Sequence, residues 1–277
     1  MKIERFGVVG CNISHTMSPY IHNVLFNLSG YSPIYDVLDI ESIPDSQDIL
    51  KTYDGLNVTI PHKKNIIEVL KELDEQSTIF SSVNTVKNNN GFLSGYTTDG
   101  KGALQAISSR GGKLDGTSII LGTGGAGRAI SAELNKYNGK IIIAGRDIEK
   151  AKKLANQLDN AKATTIKELD LTDENYSLLI NATSVGMYPN SQFCPTSENL
   201  INRCDTVFDA VYNPCETSLI SLAKTLGKRV VYGMDMLVYQ AVIAHKIWYG
   251  AEFNKQDIED LITNSKKECV RKFFHKE

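Results

Sequence analysis

Short apolar runs rich in β-branched residues alternate with longer amphipathic stretches along almost the whole chain. Strands that alternate with helical stretches in this way are typical of βα units packed on a mostly parallel sheet. The apolar runs predict strands at 6–10, 33–40, 55–60, 117–122, 140–145, 177–183 and 206–211. The chain is therefore predicted to have an α/β fold.

The first sheet is predicted to contain an antiparallel hairpin. The sequence NNNG at 88–91 stands between two apolar runs. An Asn-Gly pair favours the tight turn that joins antiparallel strands. A mixed first sheet, rather than a purely parallel one, follows from this turn.

Two domains are expected from the length of 277 residues, because a typical domain has roughly 150 residues. The helical pattern at 102–116 ends in Gly111 and Gly112 before a new strand begins, which indicates a boundary. A second boundary is expected near Gly233, because the apolar pattern at 236–253 is helical and follows the last βα unit.

These boundaries predict how the chain is divided. One domain comprises 1–101 and is joined by the C-terminal helices at 236–277, and the other comprises 102–235. The last segment, 265–277, carries many basic residues and is predicted to be a solvated helix end.

Composition argues against several classes of partner. Thirty Lys and Arg against 32 Asp and Glu give a net charge of −2, which provides no basic excess for nucleic acid. No apolar stretch approaches membrane-spanning length and the first residues do not resemble a signal peptide, so a cytoplasmic protein without a membrane partner is expected. The five cysteines form no CxxC pair and no Cys/His cluster, so no metal is expected.

A glycine-rich turn at 122–127 predicts a dinucleotide site. Gly122, Gly124 and Gly127 form a GxGxxG pattern that follows an apolar strand and precedes a helical pattern, as in a Rossmann βαβ unit. Gly124 is expected to let the backbone approach a pyrophosphate at the N-terminal end of the helix that starts near Ala126.

The residues after the second strand of this unit predict which dinucleotide binds. An NAD site usually has an acidic residue there, but this chain has Gly145 and Arg146. Arg146 and Lys150, one helical turn apart, are expected to bind a 2′-phosphate, which favours NADP. Asp147 has two interpretations, as the N-cap of a helix at 148–158 or as a ligand of a ribose hydroxyl.

Three polar sequences in the first domain each follow a predicted strand: SHTMSP at 14–19, NVTIPHK at 57–63 and GYTTDGKG at 95–102. Ligands of open α/β sheets bind outside the carboxyl ends of strands, so these loops are candidates for one pocket. A Lys and Asp pair beside a nicotinamide can move the proton that accompanies hydride transfer. On the residues alone, however, Lys63 also fits an ordinary surface lysine, and Ser18 and Asp99 also fit helix caps.

The order of these motifs resembles the shikimate dehydrogenase family, NADP-dependent enzymes that reduce 3-dehydroshikimate to shikimate. The resemblance covers almost the whole chain and includes SSVNT at 81–85, NATSVGM at 181–187, DAVYNP at 209–214 and GMDMLVYQA at 233–241. It implies a substrate domain at 1–101 and an NADP-binding Rossmann domain at 102–235. It also implies a reversible oxidoreductase of the shikimate pathway, which leads to aromatic amino acids.

The resemblance also implies a role for individual residues. Lys63 is expected to be the acid/base and Asp99 its partner, with direct hydride transfer and no metal. The residues expected to bind the substrate carboxylate and ring hydroxyls are Thr16, Ser18, Thr59, Asn84, Tyr212 and Gln240. Those expected to bind the cofactor are Gly122, Gly124, Gly125 and Ala126 at the pyrophosphate, Arg146 and Lys150 at the 2′-phosphate, and Thr183, Ser184, Met187 and Gly233 at the nicotinamide half.

Some positions depart from the family pattern. The family often has Pro at the position of Asn12, Ser at that of Thr16 and Asn at that of Thr97, and an NRT sequence where this chain has GRD at 145–147. Two alternatives stay open: a quinate/shikimate dehydrogenase that uses NAD, and a non-catalytic dinucleotide sensor. Retention of both Lys63 and Asp99 argues against the sensor, since binding alone needs no acid/base lysine. A monomer and a homodimer are equally allowed.

Overall fold

The computed structural model describes residues 4–13 and 16–274. They form two compact units. The first unit contains the described residues up to Thr98 together with Gln240–Ser265, and the second contains Asp99–Tyr239 together with the described residues from Lys266. The α/β class is confirmed.

The first unit has a six-stranded mixed sheet in the order β2-β1-β3-β5-β6-β4. β1 pairs in parallel with β2 and β3, whereas β5 is antiparallel to β3 and β6. The strands are β1 (Arg5–Gly10), β2 (Ile34–Asp39), β3 (Gly55–Val58), β4 (Glu72–Leu73), β5 (Thr85–Asn89) and β6 (Phe92–Tyr96). The helices are α1 (Ser18–Leu28), α2 (Gln47–Leu50) and α3 (Glu75–Phe80), with 3₁₀ turns at Pro44–Ser46 and Asn65–Val69.

The predicted hairpin is confirmed. β5 and β6 are joined through Asn90 and Gly91, whose φ angles of 54° and 90° are both positive. A two-residue hairpin turn of the favoured hand needs positive φ at both positions, which Asn and Gly adopt most readily. The Asn88 side chain accepts a hydrogen bond from the Gly91 amide at 2.7 Å and closes the turn.

The second unit has a six-stranded sheet in the order β12-β11-β10-β7-β8-β9, with every pair parallel. Counted from its own first strand this is 6-5-4-1-2-3, the Rossmann order. The strands are β7 (Thr117–Leu121), β8 (Lys140–Ala144), β9 (Ala161–Thr164), β10 (Tyr176–Asn181), β11 (Cys204–Asp209) and β12 (Arg229–Val231). The helices are α4 (Asp99–Ser109), α5 (Gly125–Leu134), α6 (Ile148–Ala155), α7 (Ile166–Asp170), α8 (Glu198–Asn202) and α9 (Ser218–Thr225).

Two long helices complete the chain, α10 (Gly233–Tyr249) and α11 (Lys255–Phe274). The sequence analysis gave all of 236–277 to the first domain, but the described residues from Lys266 group with the second unit. The reason is specific contacts: the Lys266 ammonium lies 2.7 Å from the buried Asp235 carboxylate, and the Cys269 thiol donates to the Tyr212 carbonyl at 3.5 Å. Ser265 and Cys269 are fully buried, so the expectation of a solvated helix end is wrong for this face.

The first part of α10 belongs to the second unit and its last part packs in the first. The Trp248 indole donates to the Val86 carbonyl at 2.9 Å. A Cβ on Gly55 would lie only 2.5 Å from the Trp248 nitrogen, so β3 needs glycine where the indole crosses it. This packing holds the part of the helix from Gln240 onward against the first sheet.

Candidate active site

Each of the three motif glycines meets a different requirement of the glycine turn. Gly122 has a φ of 110°, which side-chain-bearing residues rarely adopt. A Cβ on Gly127 would lie 2.3 Å from the Gly122 carbonyl oxygen, so only glycine lets α5 pack this close to β7. Among the described residues nothing lies within 4 Å of a Cβ built on Gly124 or Gly125. A tight turn, close helix packing and an open approach are the three requirements of a dinucleotide turn.

The N-terminal end of α5 fits an anion. The helix starts at Gly125 with Gly124 as its N-cap, and its first turn, which includes Ala126, contains no acidic residue. The backbone N–H groups of a first helical turn have no partner within the helix, and the helix dipole favours negative charge there. The turn therefore fits the pyrophosphate of a dinucleotide.

Asp147, shortly after the end of β8, makes two contacts with Lys150. Asp147 is the N-cap of α6 and accepts a hydrogen bond from the Lys150 amide at 3.1 Å. Its carboxylate also lies 3.3 Å from the Lys150 ammonium. The bond from the Lys150 amide lowers the pKa of Asp147 below its usual value. The N-cap interpretation is thus the one observed, and Lys150, expected at the 2′-phosphate, already has a carboxylate partner, whereas Arg146 is exposed.

Two buried residues lie at the ends of β10 and β11, where they begin the NATSVGM and DAVYNP motifs, and the sequence analysis gave neither of them a role. Asn181 Nδ2 donates to Asp209 Oδ1 at 2.9 Å, and the Thr183 hydroxyl donates to Asn181 Oδ1 at 2.7 Å. Burial raises the pKa of Asp209 to about 6. The available signal was a buried polar residue directly after a short apolar run, LLI before Asn181 and VF before Asp209.

The remaining predicted cofactor residues lie on the loops after these strands and at the start of α10. Ser184 and Met187 are exposed, and Thr183 is half-buried. A Cβ on Gly233 would lie 2.4 Å from the Val211 carbonyl oxygen, so α10 begins in direct contact with the loop that carries Tyr212. Burial raises the pKa of the Tyr212 hydroxyl to about 12.

In the first unit, two predicted substrate residues 156 positions apart are in direct contact. Asn84 Nδ2 donates to Gln240 Oε1 at 2.9 Å and to Thr98 Oγ1 at 2.9 Å. The Thr98 amide donates back to Asn84 Oδ1 at 2.8 Å. This network fixes the amide of Asn84, which is buried, and holds the backbone immediately before Asp99.

The segment of Lys63 lies beside Asn84. The Lys63 carbonyl accepts a hydrogen bond from the Val83 amide at 2.8 Å, and Lys63 is half-buried. Thr59 packs against the end of β1: a Cβ built on Gly10 would lie only 2.7 Å from the Thr59 methyl carbon. The loop after β3 is therefore anchored at both ends, and Thr59, Lys63 and Asn84 all belong to one anchored region of the first unit.

The loop before α1 brings two predicted hydroxyls together. The Thr16 hydroxyl donates to Ser18 Oγ at 3.0 Å and accepts a hydrogen bond from the Ser18 amide at 3.1 Å. The prediction that Ser18 is the N-cap is wrong, since α1 begins at Ser18 with Met17 as N-cap. Ser18 is the first residue of the helix itself, and its amide is bound by the Thr16 hydroxyl. Ser14 and His15 of this motif lie outside the described residues.

Comparison with known proteins matches two ranges of the chain to domains of one family. Residues 8–86 match the shikimate dehydrogenase substrate binding domain, and residues 106–188 match the family described as shikimate / quinate 5-dehydrogenase. A relative from Methanocaldococcus jannaschii, shikimate dehydrogenase (NADP(+)), is 37% identical over 273 residues, which are 94% of this chain and 96% of the relative. The chain belongs to the shikimate dehydrogenase family.

Other members of the shikimate dehydrogenase family give the same result. The shikimate dehydrogenase (NADP(+)) of Pyrococcus abyssi is 39% identical over 253 residues, which cover 90% of this chain and 93% of that protein. The crystal structure of shikimate 5-dehydrogenase from Thermus thermophilus, in complex with NADP(H) and shikimate, has a TM-score of 0.87 and 27% identity. That match covers 95% of this chain and 100% of the other.

The described residues of this shikimate dehydrogenase family member add two negative findings. Among residues 4–13 and 16–274, no group of three or more His, Cys, Asp and Glu side chains is arranged to hold a metal ion. Within the same residues, no helix combines the length and the apolar character that crossing a bilayer requires.

Proposed function

We propose that this protein is an NADP-dependent shikimate dehydrogenase, which reversibly reduces 3-dehydroshikimate to shikimate in the pathway to the aromatic amino acids. The observation that carries the proposal is a complete dinucleotide turn in a chain 37% identical to a shikimate dehydrogenase over 94% of its length. The first unit is the substrate domain and the second is the NADP domain. The protein acts in the cytoplasm as a monomer or a homodimer.

The second unit binds the cofactor, which supplies a hydride when bound as NADPH. Gly122, Gly124, Gly125 and Ala126 hold the pyrophosphate at the N-terminal end of α5. Arg146 and Lys150 attract the 2′-phosphate. The nicotinamide half contacts Thr183, Ser184, Met187 and Gly233. The open space beside Gly124 supports the first of these assignments.

The first unit orients the substrate. Thr16 and Ser18 bind its carboxylate through their hydroxyl groups. Their mutual hydrogen bond at 3.0 Å supports a joint role, because it holds the two hydroxyls side by side. Each hydroxyl has one hydrogen, so Thr16 turns its hydrogen from Ser18 to the carboxylate when the substrate binds. The ring hydroxyls bind Thr59, Asn84 and Gln240 of this unit, together with Tyr212, which belongs to the second unit. The bond between Asn84 and Gln240 at 2.9 Å supports this assignment, because it holds both amides in one fixed orientation.

Lys63 moves the proton. In the reducing direction its ammonium group gives one proton to the carbonyl oxygen as the hydride reaches the carbonyl carbon, so the product is a neutral hydroxyl. In the oxidising direction neutral Lys63 takes the hydroxyl proton. Asp99 is its partner and holds the amine close to the reacting hydroxyl. The half-buried position of Lys63 supports this role, because partial loss of solvent lets a carboxylate act strongly on it.

A quinate/shikimate dehydrogenase that uses NAD is the second candidate. The observation in its favour is the Asp147 carboxylate 3.3 Å from the Lys150 ammonium, since this negative charge opposes a 2′-phosphate nearby. Arg146, which has a fixed positive charge, opposes this candidate.

Initial rates of nicotinamide absorbance change test both candidates. Shikimate and quinate are each paired with NADP⁺ and NAD⁺ at equal concentrations. Turnover confined to shikimate and NADP⁺ is the expected result. Comparable rates with quinate and NAD⁺ would support the second candidate, and no rate with any pair would leave a non-catalytic dinucleotide sensor.

A further inference from the structure

A buried hydrogen-bond network joins the loops at the carboxyl edge of the second sheet. Asn181 ends β10 and Asp209 ends β11, and the two residues pair in register. Both are fully buried. Asn181 Nδ2 donates to Asp209 Oδ1 at 2.9 Å and to the Val185 carbonyl at 3.1 Å. The network therefore connects the end of one strand both to its neighbour and to its own following loop.

The Asn181 amide uses its full hydrogen-bonding capacity. Its oxygen accepts from the Thr183 amide at 3.1 Å and from the Thr183 hydroxyl at 2.7 Å. The Thr183 hydroxyl accepts in turn from the Val185 amide at 3.1 Å. An Asn side chain has two donors and two acceptor positions, and all four are occupied here. The conformation of residues 182–185 is thus set by a side chain of the sheet.

The Asp209 carboxylate has two further donors. The Val211 amide donates to Oδ1 at 3.0 Å, and the Thr217 hydroxyl donates to Oδ2 at 2.6 Å. Thr217 also caps α9 through the Ile220 amide at 3.3 Å. Burying a carboxylate is costly unless donors compensate for lost water. Three donors from three segments do so here, and they make one carboxylate the common anchor of those segments.

The anchored loops border the glycine turn and the start of α10. A Cβ on Gly122 would lie 2.9 Å from the Thr183 methyl carbon and 3.0 Å from the Ala182 carbonyl oxygen. The Val211 carbonyl oxygen would lie 2.4 Å from a Cβ on Gly233. The loop of Thr183 therefore lies directly against the glycine turn, and the loop of Val211 lies directly against Gly233, which the proposed function assigns to the nicotinamide half.

We propose that Asn181 and Asp209 are positioning residues for the nicotinamide half of the cofactor. They hold the loop of Thr183, Ser184 and Met187 against the glycine turn without contacting the cofactor themselves. This inference rests on the proposed function, which assigns that loop to the nicotinamide half. The adenosine half depends instead on Gly124 and Arg146, which lie outside the network.

The test compares two ligands that differ by the nicotinamide. Isothermal titration calorimetry gives the Kd of NADP⁺ and of 2′-phospho-ADP-ribose for the whole chain and for Asn181→Leu. We expect NADP⁺ to bind about tenfold more weakly to the variant, the size of one or two lost hydrogen bonds, and the fragment to bind unchanged. In turnover, kcat falls by a larger factor than the KM for shikimate rises, because Asn181 binds the 182–185 loop directly and the loop of Tyr212 only through Asp209.

A matched control separates positioning from general stability. Thr206 is fully buried on β11, and its hydroxyl accepts from Arg229 at 3.3 Å near the opposite end of that strand. Thr206→Val therefore lowers the melting temperature without changing the ratio of the two Kd values. Equal weakening of both ligands by Asn181→Leu, or no weakening of either, would overturn the inference.

Milder variants keep the test decisive if Asn181→Leu does not fold. Thr217→Val removes one donor from Asp209 and weakens NADP⁺ selectively by about threefold, and Thr217→Ser restores it because the hydroxyl returns. An unchanged Kd ratio in Thr217→Val would also count against the inference. Wild-type protein that turns over no substrate refutes the proposed function instead, whereas an active wild type with an unchanged ratio refutes the inference alone.

Discussion

The imidazoles of His22 and His245 form a buried hydrogen bond, with Nδ1 of the first 2.9 Å from Nε2 of the second. His22 lies on α1 and His245 on α10, and His245 Nδ1 also bonds the Tyr249 hydroxyl. The His22 ring stacks on Tyr35, with centroids 4.6 Å apart and planes 9° from parallel. A proton added to either ring would be buried among aromatic groups, so both imidazoles are neutral in the folded protein.

This pair predicts a loss of stability in acid. Burial lowers the pKa of His22 to about 3 and that of His245 to about 2, whereas both titrate near 6.5 when the chain unfolds. Since the folded values are lower, the stabilisation is complete above pH 6.5 and is lost as the pH falls below it. At pH 5, protonation of each of the two histidines in the unfolded chain has lowered the free energy of unfolding by about 2 kcal/mol relative to neutral pH.

Urea unfolding of the whole chain at pH 7 and pH 5 measures this loss. The double variant His22→Gln and His245→Gln does not titrate in this range and loses less free energy between the two pH values than wild type. An equal loss in both proteins would show that other groups cause the acid sensitivity.

Lys63→Ala is expected to abolish most turnover. General acid/base catalysis contributes about 10²–10⁴-fold to a rate, so kcat falls by that order. Binding of NADP⁺ stays unchanged, because Lys63 belongs to the first unit. Lys64→Ala is the matched control, since Lys64 is adjacent and exposed. Equal rates for the two variants would remove Lys63 from the mechanism.

Gly124→Ala and Gly127→Ala are expected to fail in different ways. Gly127→Ala places a Cβ 2.3 Å from the Gly122 carbonyl, and such overpacking costs about 1–3 kcal/mol of stability. Gly124→Ala meets open space and changes stability by less than about 0.5 kcal/mol, but its methyl group obstructs the pyrophosphate. Thermal melting and calorimetric binding of NADP⁺ check the pair. A Gly124→Ala protein with wild-type affinity would show that the cofactor does not approach there.

Asp147→Asn is expected to raise the preference for NADP⁺ over NAD⁺. Asn caps a helix as well as Asp does, so α6 is retained while the negative charge beside Lys150 is lost. An exposed charge of this kind changes the ratio of the two kcat/KM values by about threefold. Glu149→Gln removes the same charge at the ion pair with Lys152 and serves as the control. A falling ratio in Asp147→Asn would mean that Asp147 assists binding of NADP⁺.

Local patterns were enough to predict the seven apolar strands, the hairpin at Asn90 and the glycine turn. Each depends on a few adjacent residues: periodicity, an Asn-Gly pair, or glycines at fixed spacing. β4 was missed because two residues are too few to show a pattern. β9 and β12 were missed because they are short edge strands, and the sequence of β9 (AKAT) has little β-branched character. Their strand conformation comes from pairing with β8 and β11 rather than from their own residues.

Side-chain networks were beyond the reach of sequence patterns. Asn84 and Gln240 were predicted as site residues by family resemblance, but their mutual bond spans 156 positions and leaves no local trace. Asn181 and Asp209 begin two of the quoted motifs, but their contact was equally out of reach. Each is the last residue of its strand, and only the parallel pairing of β10 with β11 places one opposite the other.

The passage of α10 from the second unit to the first has a consequence for synthesis on the ribosome. The first unit needs Gln240–Ser265, which are translated after nearly all of the second unit. The second unit in turn takes residues from Lys266 onward. Domains usually fold as they emerge, N-terminal first. Here, however, the first sheet is translated early but can pack against Trp248 only after nearly all of the second unit has been translated. Nascent chains therefore leave the apolar residues around Phe6 and Phe26, which pack against Trp248 in the folded unit, uncovered until α10 has been translated.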